Sequence, residues 1–268
     1  MLNLISEIHL DENLKYKVID LAQKDKVKIL SLAEKCRKGN FACLASKNDL
    51  LRLAVIIKTA EYTKQRYLKL GIPENIFADT LDDIRIWCEN NNNKGLRNYN
   101  WIKNHLNCEL FKIGRLQFQL FRCNIKTLNY SDYPFNYGER LIYVHIPQGE
   151  KLDYNACKDS LKQVVEFFDK YFPDYKFRYF FCESWLLYDK NKLFMSRDSN
   201  IIKFSSLFNV VTSFGNDSQA IERIFGKRRL AKNKYQENTS LQKSAKAFMQ
   251  KGGKLGIGIG IIDKLDLC

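Results

Sequence analysis

The spacing of apolar residues changes near residue 106, and this change constrains the fold more than any other feature. In the first part of the chain, apolar residues recur every three or four positions, as in Leu14, Val18 and Leu21, which is typical of helices. In the second part, short runs rich in β-branched and aromatic residues favour strands. We therefore predict an all-helical domain over residues 1–106 and a second domain over residues 107–268.

The second domain alternates between predicted strands and helices. The predicted strands are 111–121, 141–146, 177–188, 199–214 (one strand or two), 220–225 and 257–261. A long helix begins after Asp153, and another begins after Asn238 or Thr239. This order predicts an α+β fold, a mixed and largely antiparallel sheet with flanking helices. Glycine alternates with isoleucine in the last strand, so its glycine face should allow another element to approach closely.

Composition narrows the class of protein. The net charge of +14 comes from lysines dispersed along the chain, so we expect a basic solvated surface that attracts polyanions, coenzyme A among them. The densest basic run, 227–234, is interpreted as a solvated loop. Without a helix-turn-helix or an aromatic RNA-binding motif, nucleic acid is not an expected partner.

The cysteines and the apolar runs indicate the cellular compartment and whether a metal site is expected. The eight cysteines contain no Cys-x-x-Cys pair and the chain has three histidines, so no metal site is predicted. No apolar run approaches a membrane span, and no secretory signal is evident. We expect reduced thiols, a cytoplasmic location and no membrane partner. The sequence does not indicate an oligomeric state.

An ordered set of motifs resembles a known family. The motifs are Gly114-Arg115-Leu116-Gln117-Phe118, Val144-His145-Ile146-Pro147-Gln148-Gly149, Cys157-x-x-Ser160, Phe172-Pro173, Cys182-Glu183-Ser184-Trp185-Leu186-Leu187, Asp198-Ser199-Asn200-Ile201 and Thr239-Ser240-Leu241-Gln242. In this order the chain is similar to bacterial acyltransferases with a GNAT-like C-terminal domain. Members of that family also carry a helical N-terminal domain of the N-acyltransferase type.

The resemblance implies a site for acyl-CoA. In GNAT-type enzymes, acyl-CoA binds where two parallel strands separate, and a loop and helix N-terminus after the first strand hold the pyrophosphate. Here that loop supplies Gln148, Gly149 and Lys151 as cofactor-binding residues. It has one glycine, followed by Glu150, where those enzymes carry an Arg or Gln, two further residues and then Gly-x-Gly or Gly-x-Ala.

Three residues are catalytic candidates. Glu183 lies in an apolar strand, where a carboxylate must be paired, protonated or functional, and it could act as a base. His145, near the end of a strand, is either a general base or a buried histidine that organises the loop. Cys182 is either a nucleophile or general acid, or a packed core thiol, and its apolar neighbours favour the core.

Five further residues are substrate-binding candidates. Arg115 and Gln117 share one strand face, and could hold substrate or form a buried ion pair with the helical half, which we favour. Ser184 and Trp185 continue the Cys182 strand on opposite faces. Asn200 could supply an oxyanion donor or belong to a turn, and the turn is favoured.

These observations lead to two hypotheses. In the first, the protein moves an acyl group from acyl-CoA to a small-molecule or peptide amine by direct transfer in a ternary complex. In the second, it is a non-catalytic ligand- or peptide-binding protein on a degenerate GNAT-like fold, which would explain the missing glycines.

Overall fold

The computed structural model describes residues 2–226 and 229–267, without the side chains of residues 2, 3 and 6. Lys227 and Arg228 of the basic run therefore lie outside the described residues. The chain forms two compact units: the first is Met1–Gln119, Ile146–Glu150 and Phe167–Pro173, and the second is Leu120–His145, Lys151–Glu166 and Asp174–Cys268. A division at residue 106 remains a prediction.

The first unit begins with helices, as the apolar spacing predicts. They are α1 (Leu2–Glu7), α2 (Glu12–Lys24), α3 (Lys26–Arg37), α4 (Asp49–Leu70), α5 (Glu74–Leu81), α6 (Asp83–Glu89) and α7 (Tyr99–Leu106). Helix α4 contacts α1, α2, α3, α5 and α7, and its Leu53, Ala54 and Ile57 are fully buried. It ends at Gly71, whose φ of +71° is the left-handed conformation that favours glycine.

Six strands form one mixed sheet. They are β1 (Leu110–Ile113), β2 (Leu116–Arg122), β3 (Arg140–His145), β4 (Tyr179–Ser184), β5 (Asn209–Phe214) and β6 (Ile257–Asp263), in the order β1-β2-β3-β4-β6-β5. The pair β3–β4 is parallel, whereas β1–β2, β4–β6 and β5–β6 are antiparallel. The structure thus confirms the predicted α+β class with a mixed, largely antiparallel sheet.

The later helices are α8 (Tyr154–Tyr171), α9 (Asn200–Ser205), α10 (Ser218–Phe225) and α11 (Ser240–Gln250). Thr239 is the N-cap of α11, and with Gln242 it forms a reciprocal capping box. The apolar stripe predicted for α8 is present, because Cys157, Leu161 and Val164 are all fully buried.

Three strand predictions are corrected. Residues 111–121 fall in two strands, since β1 and β2 form a hairpin. Residues 220–225 belong to helix α10, where Ala220, Ile221 and Ile224 are buried at helical spacing. Residues 199–214 begin with helix α9, and only β5 is a strand. A short apolar run is compatible with the two-residue period of a strand and with the 3.6-residue period of a helix. Spacing alone therefore does not distinguish the two in such a run.

The glycines of β6 permit close packing, as predicted. A Cβ atom on Gly258 would overlap the carbonyl oxygen of Leu187, and one on Gly260 would lie 2.8 Å from Cβ of Phe208. Both residues face the side of the sheet opposite Ile259. The bare backbone lets the turn after β4 and the chain before β5 lie directly on this strand.

Candidate active site

The parallel pair β3–β4 ends before its strands do. In the described residues, its paired register covers Ile142–Phe180 and Tyr143–Phe181, although β3 continues to His145 and β4 to Ser184. On its other side, β4 remains paired with β6 up to Ser184 and Gly258. At Cys182, Glu183 and Ser184, the described strand pairing of β4 is therefore with β6 and no longer with β3.

Four side chains share one sheet face at this end. Strand alternation places Tyr143 and His145 of β3 on the same face as Phe181 and Glu183 of β4. The rings of Tyr143 and His145 are stacked, with centroids 4.3 Å apart. The Tyr143 hydroxyl donates to the carbonyl oxygen of Glu183 at 3.3 Å, so one side chain links the ends of both strands.

Glu183 is a half-buried carboxylate in an apolar setting. Burial raises its pKa above the ordinary value of 4.5. Among the residues that the structure describes, no Lys, Arg or His forms an ion pair with this carboxylate. A carboxylate with a raised pKa and no cation beside it is a stronger base than an exposed one, so Glu183 is suited to accept a proton.

Aromatic and apolar side chains surround Glu183. The cluster on this face comprises Cys123, Tyr133, Phe135, Leu141, Tyr179, Phe181, Ile259 and Ile261. Burial raises the pKa of Tyr133, and the Glu183 charge contributes to that rise. Across the sheet, Glu183 lies opposite Ile259, which in turn lies opposite Thr212. This apolar wall accounts for the raised pKa of Glu183.

Cys182 faces the other side of the sheet. It has 0% exposure and lies opposite Gly260 of β6. Burial, with a smaller contribution from the Glu183 charge, raises the pKa of its thiol far above the ordinary value. Alternation separates it from His145, so the geometry favours the packed-core alternative over a nucleophile.

Ser184 and Trp185 lie at the point where β4 ends. The Ser184 hydroxyl accepts from the backbone N–H of Leu186 at 3.2 Å and caps a 3-10 turn, Trp185–Leu187. The backbone N–H of Trp185 donates to the side chain of Gln219 at 2.7 Å. The strand predicted to continue to residue 188 therefore stops early, and Trp185 does not follow its alternation.

The loop after β3 exposes the residues predicted to bind the cofactor. Gln148, Gly149 and Lys151 are exposed, and Gly149 has a φ of +100° with open space where a Cβ would lie. The side chain of Asp153 accepts from Ala156 N at 2.9 Å, so it already satisfies one N–H of the first turn of α8.

Glu150 is neutralised within the first unit. Its carboxylate lies 2.6 Å from the Lys112 ammonium, and its carbonyl oxygen accepts from Arg115 at 2.8 Å. Arg115 is buried, and this contact holds the loop backbone. The loop thus presents no uncompensated negative charge at Glu150.

The sequence matches two family models. Residues 110–262 match the GNAT-like C-terminal domain, and residues 3–108 match the N-acyltransferase N-terminal domain. The chain belongs to this GNAT-like family. The residues that match the GNAT-like domain include β1 to β5, all of β6 except Asp263, Glu183 and the loop from His145 to Asp153.

Solved acyltransferases share the fold of the whole chain. One, in complex with decanoyl-CoA and teicoplanin, is 19% identical with a TM-score of 0.80, over 97% of this chain and 86% of that chain. Another, in complex with CoA and 10C-teicoplanin, has a TM-score of 0.79 at the same identity and coverage. No curated protein sequence matches. At this identity the likeness establishes the fold.

Two substrate-binding candidates of the GNAT-like domain lie elsewhere. Gln117 is buried, and its side chain bonds to Asp83 of the first unit. Asn200 is exposed and opens α9 after its N-cap Ser199, as the turn interpretation expected. The structure describes no helix both long and apolar enough for a bilayer, and no group of metal-ligating side chains in residues 2–226 and 229–267.

Sequence analysis missed Tyr143 and the environment of His105. Tyr143 could have been found, because it lies two residues before His145 and so shares its strand face. His105 is fully buried with its Nε2 atom 3.0 Å from Oδ2 of Asp83, to which Trp101 also donates. The sequence gives no signal that joins these positions.

Proposed function

We propose that this protein is an acyl-CoA-dependent acyltransferase that moves the acyl group to an amine acceptor by direct attack in a ternary complex. The observation that carries the proposal is the half-buried, unpaired Glu183 carboxylate at the end of β4, beyond the last paired residues of β3. Its raised pKa makes it a stronger base than an exposed carboxylate. Family membership and the fold of the solved acyltransferases support the proposal.

The reaction balances without a covalent enzyme intermediate. The Glu183 carboxylate removes a proton from the acceptor ammonium or amine, and the amine nitrogen attacks the thioester carbonyl carbon. The C–N bond forms, the C–S bond breaks, and the CoA thiolate leaves and takes up a proton. Tyr143 positions Glu183 through its carbonyl oxygen, and His145 supports Tyr143 by ring stacking.

The loop before α8 is suited to the phosphates of acyl-CoA. The first-turn N–H groups of α8 and the exposed Lys151, both of the second unit, favour an anion there. The ion pair of Glu150 with Lys112 removes the repulsion that Glu150 would otherwise exert. The charge pattern of the loop therefore fits the cofactor despite its single glycine.

The single glycine also supports a second candidate, a ligand- or peptide-binding protein that has kept the fold without catalysis. It predicts that Glu183→Gln and His145→Ala leave ligand affinity intact and that no acyl transfer occurs. The two candidates therefore differ in turnover and agree on the fold.

Calorimetric titration with CoA, acetyl-CoA and decanoyl-CoA at two salt concentrations tests the proposal. We expect saturable binding that persists in salt, because backbone N–H groups are screened less than surface lysines. Lys151→Gln should weaken binding severalfold, whereas the exposed Lys162→Gln of the same helix should not. Release of free thiol during an amine screen would then demonstrate transfer. Absence of saturable binding to every CoA species would contradict the proposal.

A further inference from the structure

A cleft of about 890 Å³ opens in the second unit beyond the end of β4. Its lining includes Tyr188, Lys190, Leu193, Phe248, Lys251 and Lys254. The volume lies within the range of small-molecule sites, about 300–1,000 Å³. All lining residues belong to segments that follow β4, end β5 or precede β6.

The charged side chains that line the cleft are all positive. Three lysines line it, and no aspartate or glutamate does. In the part of the chain that the structure describes, Lys190, Lys251 and Lys254 are exposed and none of them is held in an ion pair. Convergent ammonium groups without counter-ions attract an anion, and low-dielectric walls strengthen that attraction.

The cleft is lined by an aromatic ring, Phe248, whose position is fixed by its neighbours. Phe248 stacks on Phe194 with ring centroids 4.8 Å apart. A Cβ on Gly253 would lie 2.6 Å from the Phe248 ring, so this ring rests on bare glycine backbone. Leu193 is 66% exposed at the rim, which is unusual for a large apolar side chain. The cleft therefore offers an apolar surface beside its cations.

The cleft and Glu183 lie on opposite faces of the sheet. Glu183 pairs with Ile259, whereas the Tyr188 ring packs against Gly256, which alternates with Gly258 and Gly260 and so faces away from Ile259. The sheet therefore separates the cleft from the Glu183 carboxylate, and the cleft is a site of its own.

We propose that this cleft binds a small molecule that carries a phosphate, sulfonate or carboxylate next to an aromatic or aliphatic body, at a site separate from Glu183. This binding does not depend on the proposed function. The negative group lies among Lys190, Lys251 and Lys254, and the apolar body lies on Phe248.

Fluorescence titration of the full chain with 1-naphthyl phosphate tests the proposal, because this probe combines both features. Neutral 1-naphthol and inorganic phosphate each supply one feature. We expect saturable binding of 1-naphthyl phosphate, and affinities about tenfold weaker for the two partial probes. Excess CoA should leave the affinity for 1-naphthyl phosphate unchanged.

Matched variants locate the binding. Lys190→Gln/Lys251→Gln/Lys254→Gln should weaken 1-naphthyl phosphate binding by about tenfold or more. Lys17→Gln/Lys35→Gln/Lys69→Gln removes the same charge from exposed helical positions and should change it by less than about twofold. Gly253→Ala, which displaces the Phe248 ring, should weaken both naphthyl probes, with circular dichroism as the check of folding.

Three outcomes would overturn the proposal: no saturable binding, equal weakening in the two triple variants, or displacement of the probe by CoA. The second would assign binding to the general basic surface, and the third would assign the cleft to the cofactor. Failure of the proposed function differs from all three, because acyl-CoA would then not be bound or consumed while 1-naphthyl phosphate still bound to the cleft.

Discussion

The imidazole ring of His145 stacks on the phenol ring of Tyr143, with planes inclined by 6° and centroids 4.3 Å apart. Tyr143 in turn donates its hydroxyl to the carbonyl oxygen of Glu183. The ends of β3 and β4 are thus connected through side chains where their paired register has ended. An aromatic ring at position 145 would maintain this connection between the strand ends without taking part in proton transfer.

Substitutions at His145 distinguish these roles. We expect His145→Phe to lose less stability than His145→Ala and to retain kcat within about threefold, because the stacking ring is preserved. His145→Ala should lose about 1 kcal/mol of stability, the usual contribution of an aromatic pair. Chemical denaturation and steady-state kinetics measure the two quantities. An equal loss of kcat in both variants would instead identify the imidazole as the base.

Glu183→Gln should lower kcat by about 100-fold or more, since it removes the general base while keeping the side-chain volume. The Kd for acyl-CoA should remain unchanged, as measured by calorimetry. Glu222→Gln, an exposed substitution on α10, is the matched control and should leave both quantities unaltered.

The pH dependence of kcat carries a second test of Glu183. Its pKa is raised by burial, and a base is active only when deprotonated, so activity should fall as the pH drops through this raised pKa. The acidic limb should therefore lie above the ordinary value of 4.5. That limb should be missing from the residual activity of Glu183→Gln, and its persistence would point to another base.

Asp83 provides a test of stability in the helical half. Its carboxylate is 4% exposed and lies against His105, which is fully buried. Breaking a buried pair of this kind costs about 3 kcal/mol, so we expect a loss of this size in Asp83→Asn. Asp82→Asn, which removes the partly exposed ion pair with Arg85, should cost less than about 1 kcal/mol. Urea denaturation compares the two.

The same pair predicts a dependence on pH. Burial opposes the charge on Asp83, but bonds from His105, Trp101 and Gln117 outweigh it and hold its pKa below the ordinary value of 3.8. A depressed folded pKa stabilises the fold above the unfolded value, and the contribution is lost as the pH falls through the folded pKa. The stability gap between Asp83→Asn and the native protein should therefore shrink as the pH falls below the ordinary value of 3.8.

Gly258→Ala should destabilise the sheet by about 2 kcal/mol or more, because its Cβ would overlap backbone of Leu187 that cannot move aside. Gly215→Ala is the matched control. A Cβ at that position meets nothing within 4 Å, and its backbone is not left-handed. Thermal unfolding of both variants measures the difference in stability. Equal melting temperatures would show that the turn after β4 can shift to accommodate the added Cβ at little cost.

Helices and strands were predicted best where the spacing of apolar residues keeps one period over a long stretch of sequence. Leu53, Ala54 and Ile57 repeat over a long stretch, and α4 is observed there. The segment 220–225 is only a turn and a half of helix, too short to reveal its period, and tertiary packing made it α10. The alternating glycines of β6 were interpreted correctly, because a missing side chain has few other uses in a strand.

The candidate site was predicted in part. Glu183 stood out in sequence because a carboxylate within an apolar strand needs a reason. Its link to Tyr143 depends on the register between two strands separated by a long helix, which local patterns do not encode. Local patterns also do not encode the ion pair between Lys112 and Glu150. This pair compensates the negative charge that Glu150 brings to the loop.

Strand β6 lies between β4 and β5 in the sheet yet follows both in the chain. During synthesis on the ribosome, β4 and β5 must therefore wait with open edges until β6 emerges and fills the gap. Open strand edges recruit other chains, so the interval before β6 arrives is when the nascent protein is most exposed to aggregation. Variants that slow the insertion of β6 should lower the yield of folded protein more than their effect on the finished fold would suggest.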